Sequence, residues 1–400
     1  MFQSATIDQI LEDLRRGRMV VVVDDETREN EGDLVCAAEF VTADTINFMA
    51  THARGLICLP VDSATADRLH LTPMTARNTD THTTAFTVSI DHVDSTTGIS
   101  AAERAHTARA VANADSTPET FRRPGHLFPL LAAEHGVLVR DGHTEATVDL
   151  LRLAGLAPCG ICCEIMDSDG SMMRRDALAA FAAQHQLNCI TIQDIQLYRQ
   201  RTEQLVTRIA DTTLPTRYGH FRMYGYADTI HGTEHIALVM DDVPSDEPFL
   251  CRVHSACLTG DALGSLRCDC GKQYDTALRQ IAAAGRGALL YLAQEGRGIG
   301  LLNKLRAYAL QDEGLDTVEA NRALGFADDA RDYAVAAQIL QDLGHSCVQV
   351  MTNNPDKITQ LERYGIRVAA RLPLQMPASP NDLVYLRTKQ EKMGHITDYS

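Results

Sequence analysis

Short apolar runs alternate with helix-spaced ones along the whole chain, and the alternation breaks once, near the middle. The longest runs, Met19–Val23 and Leu56–Val61, have the length of strands, well under the 18 or so apolar residues of a membrane span. Leu34–Ala38 reads as another strand, and Ala43–Ala53 as a helix ended by Gly55. Ahead of them Ile7, Ile10, Leu11 and Leu14 recur at helical spacing, with Ser4 as the predicted N-cap and Gly17 as the stop. From Tyr198 to Pro215 the pattern gives way to a polar stretch, YRQRTEQLVTRIADTTLP. Strands at Phe221–Tyr226, His235–Val239, Ala288–Leu292 and Val348–Met351 then alternate with helices at Tyr274–Ala284, Ile299–Glu313 and Arg331–Leu343. These spacings predict an α/β (α+β) protein of two domains, residues 1–204 and 205–400, each a mixed sheet covered by helices. No fixed-period repeat points to a solenoid.

Charge narrows the range of partners. Asp and Glu number 53 against 37 Lys and Arg, and residues 1–200 hold 28 acids against 16 Arg and no Lys. A net charge of -16 lacks the basic footprint of a nucleic-acid binder or a polybasic membrane anchor. Any anionic ligand must therefore be gripped locally. Eleven cysteines are too sparse for a secreted disulfide framework, and the first twenty residues hold no apolar signal core, so a reducing compartment, the cytoplasm, is expected.

Asp24–Asp33 reads DDETRENEGD, six acids in ten residues directly after a hydrophobic strand. Taken alone, such a run is most often a solvated turn. Carboxylate oxygens are also the ligands Mg²⁺ and Mn²⁺ prefer, and α/β proteins place active sites at strand ends. Two further motifs, RPGH at Arg123–His126 and RDGHTEAT at Arg140–Thr147, add histidines suited to proton transfer and Arg140 and Thr144 suited to a phosphate. Cys159, Cys162 and Cys163 sit among Ile161, Ile165 and Met166 with no second C-x-x-C, and read as small buried side chains.

In the second half, Cys257–Gly271 reads CLTGDALGSLRCDCG, a C-x10-C-x-C spacing of three thiolates that suits Zn²⁺. A structural zinc would be closed by a fourth side chain, with His254 as the candidate. A hydrolytic one keeps that position for water. Arg252 precedes the segment, EGRGIG at Glu295–Gly300 opens a helix, and TNNP at Thr352–Pro355 offers Asn354 as cap, Pro355 at N1 and Lys357 in the first turn. Such a helix start attracts phosphate.

DDETRENEGD, TTGIS at Thr96–Ser100, RPGH and GHTEATVDL together resemble 3,4-dihydroxy-2-butanone 4-phosphate synthases across residues 1–200. The resemblance implies conversion of ribulose 5-phosphate to the butanone phosphate and formate with Mg²⁺ or Mn²⁺. By matching motif, Glu29 and His143 would hold the ion. Arg28, Glu29, Asp33, Arg140, Asp141, Gly142, His143, Thr144 and Glu164 would meet the substrate, with His126 and Glu164 as acid/base groups. Glu103 stands where the family usually has Asp before Arg104.

RVHSACLTGD, SLRCDCG, QEGRGIGLLNKLRAYALQDEG, DTVEAN, DDARDY and TNNPDK resemble GTP cyclohydrolase II over most of residues 206–400. That implies opening of the GTP imidazole ring with loss of formate and pyrophosphate, and zinc on Cys257, Cys268 and Cys270. Arg252, Val253, His254, Ser255, Gln273, Glu295, Gly296, Arg297, Thr317, Thr352 and Lys357 would bind GTP. Asp329 would accept a proton and Tyr308 donate one. The family casts Arg331 as a nucleophile at the α-phosphate, but a guanidinium with a pKa above about 12 suits charge stabilisation of the departing pyrophosphate better. Ala256 and Ala293 replace a Glu and an Arg usual in the family, which keeps open an alternative in which the second half only binds or regulates through a nucleotide. A zinc-dependent nucleic-acid module is opposed by the acidic charge and the absence of Trp. Two activities serving riboflavin synthesis, small-molecule substrates, no membrane partner and a homodimer are what the two resemblances imply.

Overall fold

Val20–Val23 is buried at all four positions, as a β-branched run with no polar face requires. In the computed structural model, which describes residues 4–240, 247–329 and 331–399, this strand folds back antiparallel on Gly32–Ala37, with Val23 opposite Gly32. Its other edge pairs in parallel with Cys189–Thr191. The resulting mixed sheet of seven described strands runs in the order Ile90–His92, Phe121–Leu131, Cys58–Val61, Gly160–Glu164, Gly32–Ala37, Val20–Val23, Cys189–Thr191. Alternate valines feed different cores. Val21 and Val23 pack with Ile46, Ala105, Leu178 and Phe181, whereas Val20 and Val22 pack with Ile10, Leu14, Leu150 and Ile195. Helices therefore cover both faces, and the side-chain period of two along one strand serves both layers.

Local differences from the sequence reading have local causes. The first helix, Ile7–Arg15, is capped by Thr6 rather than Ser4, because Thr6 and Gln9 form a reciprocal capping box. The expected helix over Ala43–Ala53 is α-helical only to Phe48, widens into a π turn at Met49–Ala53, and ends on a left-handed Arg54 at φ 70°. Gly55 is needed for a different reason than stopping the helix: a Cβ there would lie 2.4 Å from the Glu164 carbonyl oxygen.

The second sheet, also of seven described strands, runs Arg367–Leu372, Cys347–Met351, Phe249–Ser255, Gly287–Leu292, Glu234–Met240, Gly219–Asp228, Val206–Thr216. Its core joins Phe221, Leu238 and Leu289 to Ala277, Leu278 and Ile281 of the helix Cys270–Ala284. The polar stretch after Tyr198 is not a linker. It finishes the helix Ile192–Thr202 and then supplies the edge strand Val206–Thr216, mostly exposed and paired on one side only, which is why no alternation marks it. The compact units are Met1–Arg199 and Gln200–Ser400, so the division falls inside that helix, a few residues ahead of 204/205.

Two candidate active sites

In the first unit the acidic run forms the turn between Val23 and Gly32. Asp24, buried, organises it by accepting the Glu29 N–H at 3.0 Å, the Glu31 N–H at 2.8 Å and the Arg28 guanidinium at 3.0 Å. Arg174 clamps the far side by donating to the Glu29 and Asn30 carbonyls at 2.7 and 2.6 Å. Held this way, Glu29 points at His143, whose Nδ1 lies 3.6 Å from Glu29 Oε2 and 3.9 Å from Asp33 Oδ1. His143 begins the helix His143–Ala154, capped by Gly142 without a side-chain hydrogen bond.

The charges in this cluster are strongly interdependent. Burial pushes the Glu29 carboxyl up, but hydrogen bonding to His143 and the charge of Arg28 outweigh it and hold the group at about 2. Burial opposes charge on His143, yet Asp33 and Glu29 raise its imidazole to about 9. Asp33 is raised, mainly by burial. Glu164, opposite Asp33 in the register, is raised to about 7, first by burial and then by Asp33. Among the described residues, His143 Nε2 and Asp33 Oδ1 are buried without a hydrogen-bond partner. Asp24, Glu29 and His143 each offer a ligand atom within 4.8 Å of the others.

Arg28 reaches Asp141 at 3.3 Å, and Arg140 donates to Glu145, to the His82 carbonyl and to Thr84. Arg28, Glu29, Asp33, Glu164 and the stretch from Arg140 to Thr144 thus gather at one end of the sheet. His126 stands apart. Its Nδ1 is 2.7 Å from Asp91 Oδ2 and its N–H donates to Asp91 Oδ1 at 2.9 Å. The Leu56 N–H donates to Glu164 Oε2 at 2.8 Å, and Cys58 is opposite both Cys162 and Phe128. Sequence reasoning missed Asp91 and Arg174, because neither partner lies within reach of a local pattern.

In the second unit, Cys257, Cys268 and Cys270 bring their sulfurs within 4.8 Å of one another, with Cys257 and Cys268 at 3.7 Å. Cys257 follows the strand Phe249–Ser255 and Cys270 begins the helix Cys270–Ala284. Gly260 lets them meet: a Cβ there would lie 2.8 Å from Cys268 Sγ. His254 does not join them. Its Nε2 is 3.1 and 3.0 Å from the two Asp261 oxygens, and Asp261 also accepts the Cys257 N–H at 2.9 Å and the Tyr291 hydroxyl at 3.0 Å. Lys304, which the sequence did not single out, is buried with its Nζ 3.0 Å from Cys257 Sγ and 2.7 Å from Glu295 Oε1.

The sulfurs line a cleft shared with Arg252, Gln273, Arg297, Tyr308, Thr317, Arg331, Thr352 and Lys357. Arg252 donates to the Met351 carbonyl at 2.7 Å and to Gln273 at 2.6 Å, Lys357 to the Val253 carbonyl at 2.7 Å, and Arg331 to both oxygens of Asp329. The Val253 side chain is fully buried, and it is the carbonyl, accepting from Lys357, that is turned to a polar side chain. Burial, then Arg252 and Arg331, push the Lys357 ammonium far below the usual lysine range. Gly296 and Arg297 are both left-handed, at φ 63° and 64°, so the turn before the helix Leu301–Asp312 holds a strained arginine toward the cleft. The helix Pro355–Arg363 starts as read, with Asn354 accepting the Asp356 N–H at 3.0 Å. Ala256 lines the cleft.

Known proteins agree with this division of chemistry. The family model for 3,4-dihydroxy-2-butanone 4-phosphate synthase matches residues 8–198 and that for GTP cyclohydrolase II residues 207–373. The riboflavin biosynthesis protein RibBA of Bacillus cereus is 56% identical over 390 residues, 98% of this chain and 98% of its own. Its Bacillus subtilis counterpart is 56% identical over 394 residues, 98% of this chain and 99% of its own. Among solved structures, RibBX, a two-domain 3,4-dihydroxy-2-butanone 4-phosphate synthase from A. baumannii, is 35% identical and covers 93% of this chain and 100% of its own at a TM-score of 0.70. A synthase crystallised with two magnesium ions is 42% identical and covers 50% of this chain and 98% of its own, at a TM-score of 0.49. The chain belongs to the bifunctional riboflavin biosynthesis enzymes, a lyase of the butanone phosphate synthase family followed by a hydrolase of the GTP cyclohydrolase II family.

Proposed function

We propose that the first site converts ribulose 5-phosphate to 3,4-dihydroxy-2-butanone 4-phosphate and formate. The second opens GTP to the diaminopyrimidinone ribosyl phosphate, formate and pyrophosphate. One observation carries the reading: two ligand clusters of opposite chemical character, oxygen and imidazole in one unit, sulfur in the other. Incubating the protein separately with each substrate and measuring formate tests it. Formate from both is expected; formate from the sugar phosphate alone would leave the second unit as a nucleotide-binding module.

Glu29 and His143, with Asp33 beside them, would hold Mg²⁺ or Mn²⁺, and the two buried unpartnered atoms of His143 and Asp33 support that fit. Such an ion supplies positive charge beside the reacting substrate oxygens. Arg28, Arg140, Asp141 and the uncapped N–H groups at His143 and Thr144 receive the sugar phosphate. Glu164, near 7, can both take a proton and return it at neutral pH, and His126, aligned by Asp91, is a second carrier. The homodimer belongs to this reading on the family resemblance alone.

Cys257, Cys268 and Cys270 would hold Zn²⁺. The engagement of His254 by Asp261 supports a coordination sphere left open to a reactant. Zinc there supplies a Lewis acid. Arg252, Arg331 and Lys357 receive the triphosphate, with Gln273, Ser255, Thr317 and Thr352 around the nucleotide. Burial acts against charge on Arg331, but Tyr333 and Asp329 more than offset it, so it stabilises the departing pyrophosphate as a cation. Asp329 is held low by Arg331 despite burial, and becomes a proton acceptor once Arg331 turns to the phosphates. Tyr308, hydrogen-bonded to Thr259 at 3.2 Å, is the proton donor. Eleven free thiols support a cytoplasmic location, and among the described residues no helix is long and apolar enough to cross a membrane.

A pH effect follows from Lys357. A polyphosphate beside it restores the lysine charge that burial, Arg252 and Arg331 suppress. Binding therefore takes up a proton, and affinity falls as pH rises between the free and bound pKa values. Calorimetry with pyrophosphate in buffers of different ionisation enthalpy should show net uptake that Lys357→Met removes; net release would contradict the assignment.

A further inference from the structure

Among the described residues, three groups of His, Cys, Asp or Glu bring one ligand atom each within 4.8 Å of the others. Two are the sites above. The third is His92, Asp94 and His106. His92 ends the strand Ile90–His92, Asp94 follows it in the turn, and His106 lies in the helix Ala101–Ala112. The imidazole centroids are 4.1 Å apart at 60°, and His92 Nδ1 is 3.6 Å from Asp94 Oδ2. This arrangement is anchored by the backbone. The His92 N–H donates to Thr107 Oγ1 at 3.0 Å, tying the strand end to the helical turn that carries His106.

We propose that His92, Asp94 and His106 form a third metal site, selective for a borderline divalent transition ion such as nickel or zinc over magnesium. Two imidazoles and one carboxylate are the donors such ions take, whereas magnesium requires oxygen. The bond an ion would displace is weak, the Asp94 N–H donating to His92 Nδ1 at 3.2 Å. Occupancy would cross-link strand to helix over the Thr96–Ser100 turn, which Glu103 already holds through Thr96, Gly98 and Ser100. Asp91, the partner of His126, is the residue next to His92. The ion would thus stiffen the segment that aligns His126 without reaching the substrate.

Tag-free, zinc-loaded protein saturated with magnesium is titrated with Ni²⁺, as wild type and as His106→Ala, a change on an exposed helix surface. Wild type should take up one equivalent more than the variant, or bind that equivalent about 10- to 100-fold more tightly. Nickel should raise the thermal midpoint of wild type more than that of the variant. Without nickel, both forms should release formate from both substrates at the same rates. Equal stoichiometry and affinity in the two proteins would overturn the site, as would a nickel response that persists in the His92→Ala/His106→Ala double variant.

Discussion

Cys268→Ser is expected to abolish formate release from GTP while formate release from ribulose 5-phosphate continues at the wild-type rate. A serine hydroxyl stays protonated where a thiolate is needed, leaving two sulfurs, and His254 is committed to Asp261 rather than free to replace the third. A Lewis acid in such a site is worth several kcal/mol of transition-state stabilisation, or about 10³-fold and more in rate. The buried ammonium of Lys304 beside Cys257 does not substitute for it, since Glu295 already shares that charge. Zinc content per chain and the two formate assays on one preparation decide the matter. A zinc-free Cys268→Ser protein that still opens GTP would remove the metal from the reaction. Gly260→Ala should act in the same direction by crowding Cys268, with the sulfurs themselves intact.

The second large effect concerns Glu164. Glu164→Gln should lower synthase turnover by about 10²- to 10⁴-fold, the range for removing a positioned acid or base. It should also change how the metal-free protein responds to pH. The carboxyl titrates at 4.5 ordinarily and at about 7 in the fold. Between those values the native chain holds a proton that the unfolded chain has lost, so stability declines as pH rises from 4.5 to 7 and the whole loss is present above 7. Its size is on the order of 3 kcal/mol. Thermal midpoints of the chelator-treated wild type should therefore fall across that interval, and those of Glu164→Gln should follow a shallower course. A variant that matches the wild-type slope would show that Glu164 is not the group that titrates.

Much of this was legible locally. The valine run before DDETRENEGD, the three sulfurs, and the Asn354–Pro355 start are patterns within a few residues, and backbone geometry there follows from those residues alone. What escaped the sequence are partnerships across distance. Asp91 meets His126 from 35 residues away and Lys304 meets Cys257 from 47, and no spacing rule links such pairs. Asp261 is nearer, but it reaches His254 through the single turn Leu258–Asp261, too short to leave a period in the sequence. The strand Val206–Thr216 was hidden for another reason: an edge strand open to water needs no apolar face to declare it.

The residues proposed for the first site lie between Asp24 and Glu164, and those proposed for the second between Arg252 and Lys357. A genetic crossover near the division at residues 199 and 200 would exchange one unit for another without cutting either sheet. A truncation there would still leave the earlier unit whole, with Arg174 and the strand Cys189–Thr191 in place. Inheritance can therefore lose, duplicate or replace one chemistry while the other is passed on unaltered.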